Sequence, residues 1–136
     1  HCKIIVTFDA DGQHTASLLE TFLASIDDGA DVVIGIRNRS ARISETFFSW
    51  VARRRWKIHD PLCGMKAYRS EVYQLLGHFD SYGSIGTELC IFASKNQFQI
   101  REVLLQVKQR TDNPRIGSIW SANLKIFRAM LLAILR

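Results

Sequence analysis

The spacing of apolar residues along the chain predicts alternating strands and helices. Runs rich in valine, isoleucine and leucine predict strands over residues 3–8, 30–36 and 98–107. Apolar residues at helical spacing predict helices over residues 15–26, 43–56, 70–76, 85–94 and 119–135. Two polar segments that contain proline and glycine, residues 59–65 and 111–118, are predicted to be loops.

The same pattern places an apolar stripe on two of these helices. In the helix over residues 43–56 we expect Phe47, Trp50 and Val51 to face the core. The last helix also carries basic residues, so it either packs on the protein core, which is the commoner arrangement, or lies on an anionic surface. Its apolar positions at helical spacing are Trp120, Leu124, Phe127, Met130, Leu131 and Ile134.

The order of the elements favours an α/β domain. A strand, a helix and a second strand within residues 3–36 form a βαβ unit, which is typical of a parallel sheet. The chain has 136 residues, enough for one domain with a hydrophobic core. We expect a mixed, mainly parallel sheet flanked by helices over residues 1–118, followed by a C-terminal amphipathic helix over residues 119–136.

Charge is distributed unevenly along the chain. The net charge is +5, yet residues 1–31 hold six acids and one base, whereas residues 37–57 hold seven bases and one acid. A basic segment of this kind fits a phosphate-rich substrate, nucleic acid or an anionic membrane surface. The three cysteines are widely spaced and lack a C-x-x-C pattern, which favours a reducing compartment over a disulfide framework or a zinc site.

Two acids directly follow the first predicted strand. Asp9 and Asp11 stand one residue apart after the apolar run over residues 4–8. Ligands bind at the carboxyl ends of strands in open α/β sheets, and clustered carboxylates suit Mg²⁺ or Mn²⁺, which can in turn hold a diphosphate. A turn rich in aspartate and glycine would give the same local pattern.

Read in order, the motifs of this chain resemble those of the family 2 glycosyltransferases. The branch most similar in pattern contains dolichol-phosphate mannose synthase and the bacterial polyprenyl-phosphate sugar transferases. The motifs extend over nearly the whole chain: residues 6–14 (VTFDADGQH), 29–37 (GADVVIGIR), 60–69 (DPLCGMKAYR), 87–89 (TEL), 100–103 (IREV) and 110–118. This resemblance implies the C-terminal portion of a glycosyltransferase A fold and metal-dependent transfer of a sugar from a nucleotide-diphosphate sugar.

The resemblance also implies roles for individual residues. Asp9 and Asp11, with Gln13 as a neutral oxygen ligand, would hold Mg²⁺ or Mn²⁺. Asp60 and Glu88 are the two candidates for a base or orienting group beside the acceptor. Arg110, Arg115 and Ser118 would belong to a loop over the phosphates.

Arg37 is also expected to bind phosphate, because it follows a buried strand where a charge needs a partner. A salt bridge to a nearby carboxylate is the alternative partner for this arginine.

The resemblance extends to partners and location. The acceptor would be a polyprenyl phosphate or a cell-surface glycan precursor, and the enzyme would work in the cytoplasm at the inner membrane face, in peripheral contact with the bilayer and without nucleic acid. The family has half of a nucleotide-binding sheet before the D-x-D strand, so we expect a fragment that is inactive alone. Two other classes stay open from the residues: a non-catalytic basic module that binds nucleic acid or anionic lipid, and a nucleotidyltransferase.

Overall fold

A computed structural model describes residues 2–8, 16–38, 43–79, 86–105 and 119–135 of the protein. Every predicted strand and helix is found within a few residues of its predicted bounds, and a short strand is added. In chain order the elements are β1 (Ile4–Thr7), α1 (Ala16–Asp27), β2 (Val32–Arg37), α2 (Ile43–Trp56), β3 (Lys66–Arg69), α3 (Ser70–Leu76), α4 (Thr87–Lys95), β4 (Ile100–Leu105) and α5 (Ile119–Leu135).

The described strands form one mixed sheet in the order β1-β3-β2-β4. Strand β3 is antiparallel to both of its neighbours, and β2 and β4 are parallel. Therefore β1, β2 and β4 run in the same direction, and only β3 opposes them. The predicted α/β class with a mixed, mainly parallel sheet is confirmed. Strand β3 was not predicted, because four residues between a turn and a helix leave too short a pattern to detect.

Alternating residues of the central strands supply two hydrophobic cores on opposite faces of the sheet. Val32 and Ile34 of β2 pack with residues of α2, α4 and α5, whereas Val33 packs with Phe22 and Ile26 of α1. Gly35 lies where the second core is tightest. A Cβ atom there would come within 2.6 Å of the Leu105 side chain, so a larger residue at this strand position would displace that leucine.

Helix α2 is rotated relative to its predicted orientation. Its buried apolar residues are Phe48, Ala52 and Trp56, while Phe47 and Trp50 are exposed and Val51 is half-buried. The expectation for Phe47 and Trp50 is therefore wrong. The physical reason is that the inward stripe also includes the acid Glu45, which an apolar pattern does not count.

Helix α5 packs on α2 through its small residues. Ala129, Met130 and Ala133 are buried, and Ile134 is half-buried. Of the residues at helical spacing, Leu124, Phe127 and Leu131 are exposed, because the buried side of the helix contains the alanines Ala129 and Ala133, at positions i and i+4. The side chain of Trp120 lies outside those described.

The division into residues 1–118 and 119–136 stays a prediction. Among the described helices, none has the length and hydropathy that crossing a bilayer requires.

Candidate functional site

The carboxyl ends of three strands meet at one edge of the sheet. Thr7 at the end of β1 and Ile34 of β2 both pair with Lys66 at the start of β3, and Arg37 at the end of β2 pairs with Leu105 at the end of β4. The loop over residues 57–65, which enters β3, therefore lies at the edge that α/β proteins use for ligands.

The end of β1 is held against this loop. The Thr7 hydroxyl donates a hydrogen bond to the Gly64 carbonyl oxygen at 3.0 Å. Asp9, Asp11 and Gln13, the predicted metal ligands, follow within six residues of Thr7 but lie outside the described residues. Within the described ranges there is no group of three or more histidine, cysteine or acidic residues that could hold a metal ion.

Arg37 and Asp60 form a paired charge at the edge. Arg37 Nε donates to Asp60 Oδ2 at 2.8 Å and Arg37 Nη2 donates to Asp60 Oδ1 at 3.0 Å. The Arg37 backbone N–H donates to the same carboxylate at 3.2 Å. The hydrogen bond with Asp60 raises the pKa of Arg37 despite partial burial. The salt bridge that sequence analysis gave as the alternative for Arg37 is thus present. The carboxylate is that of Asp60, which is itself a predicted site residue.

Glu45 extends this pair from the first turn of α2. Its Oε2 atom lies 3.4 Å from Arg37 Nη2, and the residue is 8% exposed. A carboxylate on an inward helix face is unfavourable unless it is paired, so the contact explains why the acid is tolerated there. Sequence analysis missed this residue. The available signal was that Glu45 is the one acid within residues 37–57, which contain seven bases.

The second candidate acid, Glu88, lies in the first turn of α4. This helix begins beside the Asp60 loop, because the Thr87 hydroxyl donates to the Pro61 carbonyl oxygen at 3.0 Å. Glu88 is buried, and its Oε1 atom lies 3.3 Å from His78 Nε2. Asp60 thus lies in this loop beside Arg37, and Glu88 follows Thr87, which contacts the loop, and lies beside His78.

The start of α4 is also fixed against β3. The Tyr68 hydroxyl donates to the Gly86 carbonyl oxygen at 2.9 Å. Gly86 has φ +74°, and a Cβ atom there would lie 2.6 Å from the Tyr68 hydroxyl. Glycine is therefore required where the chain enters α4.

Lys66 is a further charged residue that sequence analysis did not select. It is fully buried at the start of β3, and its ammonium donates to the Cys63 carbonyl oxygen. Burial raises the pKa of the Cys63 thiol. Lys66 is two residues from the buried Tyr68 and so shares its side of the sheet, but no signal for this was available from the sequence, because β3 was not detected.

Strand β4 anchors the loop from its other side. Glu102 accepts the His59 backbone N–H at 2.7 Å, and its second oxygen lies 2.5 Å from His59 Nδ1. Glu102 belongs to one of the motifs that carry the resemblance, and the structure gives it a positioning role beside Asp60. The loop residues Arg110, Arg115 and Ser118 lie outside the described residues, and their phosphate-binding role stays a prediction.

No protein-family model matches the chain. Among curated proteins, it is 29% identical over 128 residues to a dolichyl-phosphate hexose transferase of Haloferax volcanii, an alignment that covers 83% of this chain and 54% of that protein. It is 30% identical over 128 residues to a polyprenol monophosphomannose synthase of Mycolicibacterium smegmatis, covering 79% of this chain and 46% of that protein. The chain thus spans about half the length of the curated relatives it matches.

Solved structures share the fold over nearly the whole chain. Glucosyl-3-phosphoglycerate synthase from Mycobacterium tuberculosis, in complex with phosphoglyceric acid, superposes with a TM-score of 0.74 at 19% identity, covering 98% of this chain and 50% of that one. A second structure of that enzyme, in complex with Mn²⁺ and uridine-diphosphate-glucose, has a TM-score of 0.69, also at 19% identity, and covers 98% of this chain and 49% of that one.

Proposed function

The chain is a homologue of glycosyltransferases, as its motifs predict, and we propose that the protein transfers a hexose from a nucleotide-diphosphate sugar to a polyprenyl phosphate. We place this reaction at the cytoplasmic membrane face, with Mg²⁺ or Mn²⁺ as the cofactor. The relatives named above support the substrate classes: two carry a polyprenyl-type lipid in their names, and the M. tuberculosis enzyme binds Mn²⁺ with a nucleotide sugar.

One observation supports the proposal: strand β1, which Asp9 and Asp11 follow in the sequence, ends at the edge that holds the Arg37–Asp60 pair. Thr7 leads into the two acids, and its hydroxyl bonds to Gly64, four residues after Asp60 in the chain. A cation site at Asp9 and Asp11 would then lie close to an anion site at Arg37. A phosphorylated donor and a phosphorylated acceptor need this combination.

Arg37 is the residue we assign to the acceptor phosphate. Its Nε and Nη2 atoms bind carboxylates, whereas Nη1 has no hydrogen-bond partner among the described residues. Arginine retains its charge when paired and offers five donors in a planar fork, so one edge can bind Asp60 while the other binds a phosphate oxygen.

Asp60 acts as a positioning residue in this scheme. Both of its oxygens accept hydrogen bonds from Arg37, which favours orientation of the guanidinium over removal of a proton. A polyprenyl phosphate is already an anion and needs little deprotonation. Glu88 remains the candidate base for an acceptor that attacks through a hydroxyl group, as a cell-surface glycan precursor would.

The metal would be held by Asp9, Asp11 and Gln13. Two carboxylates and an amide oxygen are hard oxygen donors, which fit Mg²⁺ or Mn²⁺ and fit zinc less well. When bound, such an ion stabilises negative charge on the departing nucleotide. The two other classes, a nucleic-acid-binding module and a nucleotidyltransferase, gain no support from the contacts described.

The test is the substitution Asp11→Asn in the full-length protein, compared with Asp27→Asn. Asp27 is exposed at the end of α1, so the control makes the same change in charge away from the edge. We expect Asp11→Asn to abolish Mn²⁺ binding and to lower sugar transfer by about 10²–10³-fold, the scale of losing one preorganised electrostatic group. Equal transfer by the two variants would overturn the metal role.

A further inference from the structure

Glu102 is the one acid of strand β4, which lies at an edge of the described sheet. Its side chain is 17% exposed, and a carboxylate removed from water to that extent needs partners. Both of its oxygens contact one loop residue: Oε1 accepts the His59 backbone N–H at 2.7 Å, and Oε2 lies 2.5 Å from His59 Nδ1. The whole carboxylate thus holds a single position of the loop over residues 57–65.

The contact with Glu102 also orients the His59 ring. An ionised carboxylate only accepts hydrogen bonds, so Nδ1 of the ring carries the hydrogen. Carboxylates orient histidine rings in this way in many functional sites. The main chain and the ring of His59 are therefore held together, one residue before Asp60, which binds Arg37.

The chain needs an anchor where it enters this loop. Lys57 has φ 58°, a left-handed conformation that residues other than glycine adopt uncommonly. The Ile58 backbone N–H donates to the Ala52 carbonyl oxygen at 3.3 Å, which is long for a hydrogen bond between backbone groups. The shorter bonds to Glu102 follow at the next residue and hold the chain after this turn.

The exit from the loop is anchored separately. The Thr87 hydroxyl donates to the carbonyl oxygen of Pro61, the residue after Asp60, at 3.0 Å. This bond comes from α4, whereas the short bonds before Asp60 come from β4. Asp60 therefore lies between two anchored segments, and strand β4 holds the first of them.

Glu102 and Arg37 lie on neighbouring strands at different heights. In the parallel pairing of β2 and β4, Glu102 is opposite Ile34, and Arg37 is three residues further, about 10 Å along the strand. His59 contacts the lower of the two residues and Asp60 the higher one. Because the peptide between His59 and Asp60 is rigid, a shift of the first carries the second with it.

From these contacts we propose that Glu102 is a positioning residue for the acceptor. Through His59 and Asp60, it sets the direction in which Arg37 presents its Nη1 atom. This step rests on the proposed function, in which Arg37 binds the acceptor phosphate. A displacement of about 1 Å at a group that positions substrate can lower a rate about 10²-fold. The donor is assigned to the metal ligands that follow β1, so the clamp affects use of the acceptor and leaves use of the donor unchanged.

The experiment compares Glu102→Ala with Asp31→Ala in the full-length protein. Asp31 is a matched control, because its carboxylate also accepts a backbone N–H, that of Gln99 at 2.8 Å, and lies 3.6 Å from Arg69 Nε. It precedes β2, at the opposite end of that strand from Arg37. We expect Glu102→Ala to raise the KM for polyprenyl phosphate about tenfold or more and to leave the KM for the nucleotide sugar within about twofold. Asp31→Ala should change neither.

The two KM values separate positioning from a loss of stability. A variant that is only less stable has less active enzyme, which lowers the apparent kcat and leaves both KM values as they were. His59→Ala should raise the acceptor KM less than Glu102→Ala does, because the backbone N–H of residue 59 can still donate to Glu102.

A second measurement tests the link without substrate. The Arg37 backbone N–H donates to Asp60 Oδ2 at 3.2 Å, so hydrogen exchange of this amide reports whether Asp60 is in place. We expect the amide to exchange about tenfold faster in Glu102→Ala than in the unmodified protein, and at an unchanged rate in Asp31→Ala.

Three results would overturn the proposal: equal acceptor KM values for Glu102→Ala and Asp31→Ala, unchanged exchange of the Arg37 amide in Glu102→Ala, or a larger effect of His59→Ala, which would mean that the ring itself contacts substrate. Circular dichroism checks that the variants fold. If Glu102→Ala does not, Glu102→Gln replaces it; its carbonyl oxygen can still accept one of the two bonds, and we expect a rise in acceptor KM of about threefold. If the unmodified protein transfers no sugar to polyprenyl phosphate, the proposed function fails, and the acceptor assignment fails with it. Exchange of the Arg37 amide then decides the positioning link by itself.

Discussion

The sheet edge and the outward face of α2 and α5 depart from the usual distribution of residues in opposite ways. At the edge, the charged side chains of Glu45, Asp60 and Lys66 are buried. On the face, large apolar side chains are exposed while arginines surround them. Elsewhere an ordinary surface pair exists: Arg101 Nη1 lies 2.7 Å from Asp28 Oδ2, with both side chains exposed.

The difference shows which departures are compensated within the fold. The buried charges at the edge contact opposite charges and backbone groups. These contacts offset most of the free energy that removing the charges from water costs. The exposed leucines have no comparable cover in the described chain. A preorganised edge of this kind is what we expect of the proposed catalytic site.

The largest effect should come from removing the charge at the edge. We expect Arg37→Gln to lower sugar transfer by about 10²–10³-fold, since a donor aimed at phosphate is lost. Arg101→Gln makes the same change in a surface ion pair and should leave transfer within a factor of two, on the scale expected of an exposed pair. Rates measured with both variants compare the regions directly; similar losses would contradict the assignment of Arg37.

The next largest effect should be a difference in stability between variants of the Arg37–Asp60 pair and variants of the Arg101–Asp28 pair. Asp60→Ala leaves Arg37, whose side chain is 27% exposed, without its main partner, and we expect a loss of about 2 kcal/mol in the free energy of unfolding. Asp28→Ala should cost less than about 1 kcal/mol, because that pair is exposed. Urea denaturation measures both. If the losses are equal, the edge is no better organised than the surface.

The smallest effect is expected at Glu45. Its contact with Arg37 is longer, at 3.4 Å, and the amide of Glu45→Gln can still accept a hydrogen bond. We expect a loss of stability of about 1 kcal/mol and a fall in transfer of about fivefold, as one neutral hydrogen bond replaces a charged one. A fall as large as that of Arg37→Gln would mean that Glu45 acts directly on substrate.

Much of the fold follows from periodicity. Strands β1, β2 and β4 and all five helices are predicted because each has a run or stripe long enough to detect. The resemblance to glycosyltransferases is confirmed by the comparisons. Strand β3 was missed because its identity depends on partners on both sides, which a local pattern does not contain.

The site was predictable in part. Arg37 and Asp60 were selected from strand ends and motifs, but their mutual contact was not foreseen, because 23 residues separate them. Glu45 and His78 were missed because each has its partner on a different element of the fold, which a local pattern does not show. The outward residues Phe47 and Trp50 of α2 were assigned to the core for a related reason. Hydrophobicity alone does not fix the rotation of a helix when small or charged residues form its buried side.

The ladder between β1 and β3 has a consequence for the order in which the protein folds. Ile4 pairs with Arg69, so β1 cannot join the sheet until a segment of more than sixty residues has closed. Loop closure over such a distance is slow compared with helix formation. We therefore expect the strand that leads to Asp9 and Asp11 to dock after β2 and β3 have paired, since the pairing of Val32 with Tyr68 closes a much shorter segment. Pulsed hydrogen exchange during refolding would show this as late protection of the β1 amides.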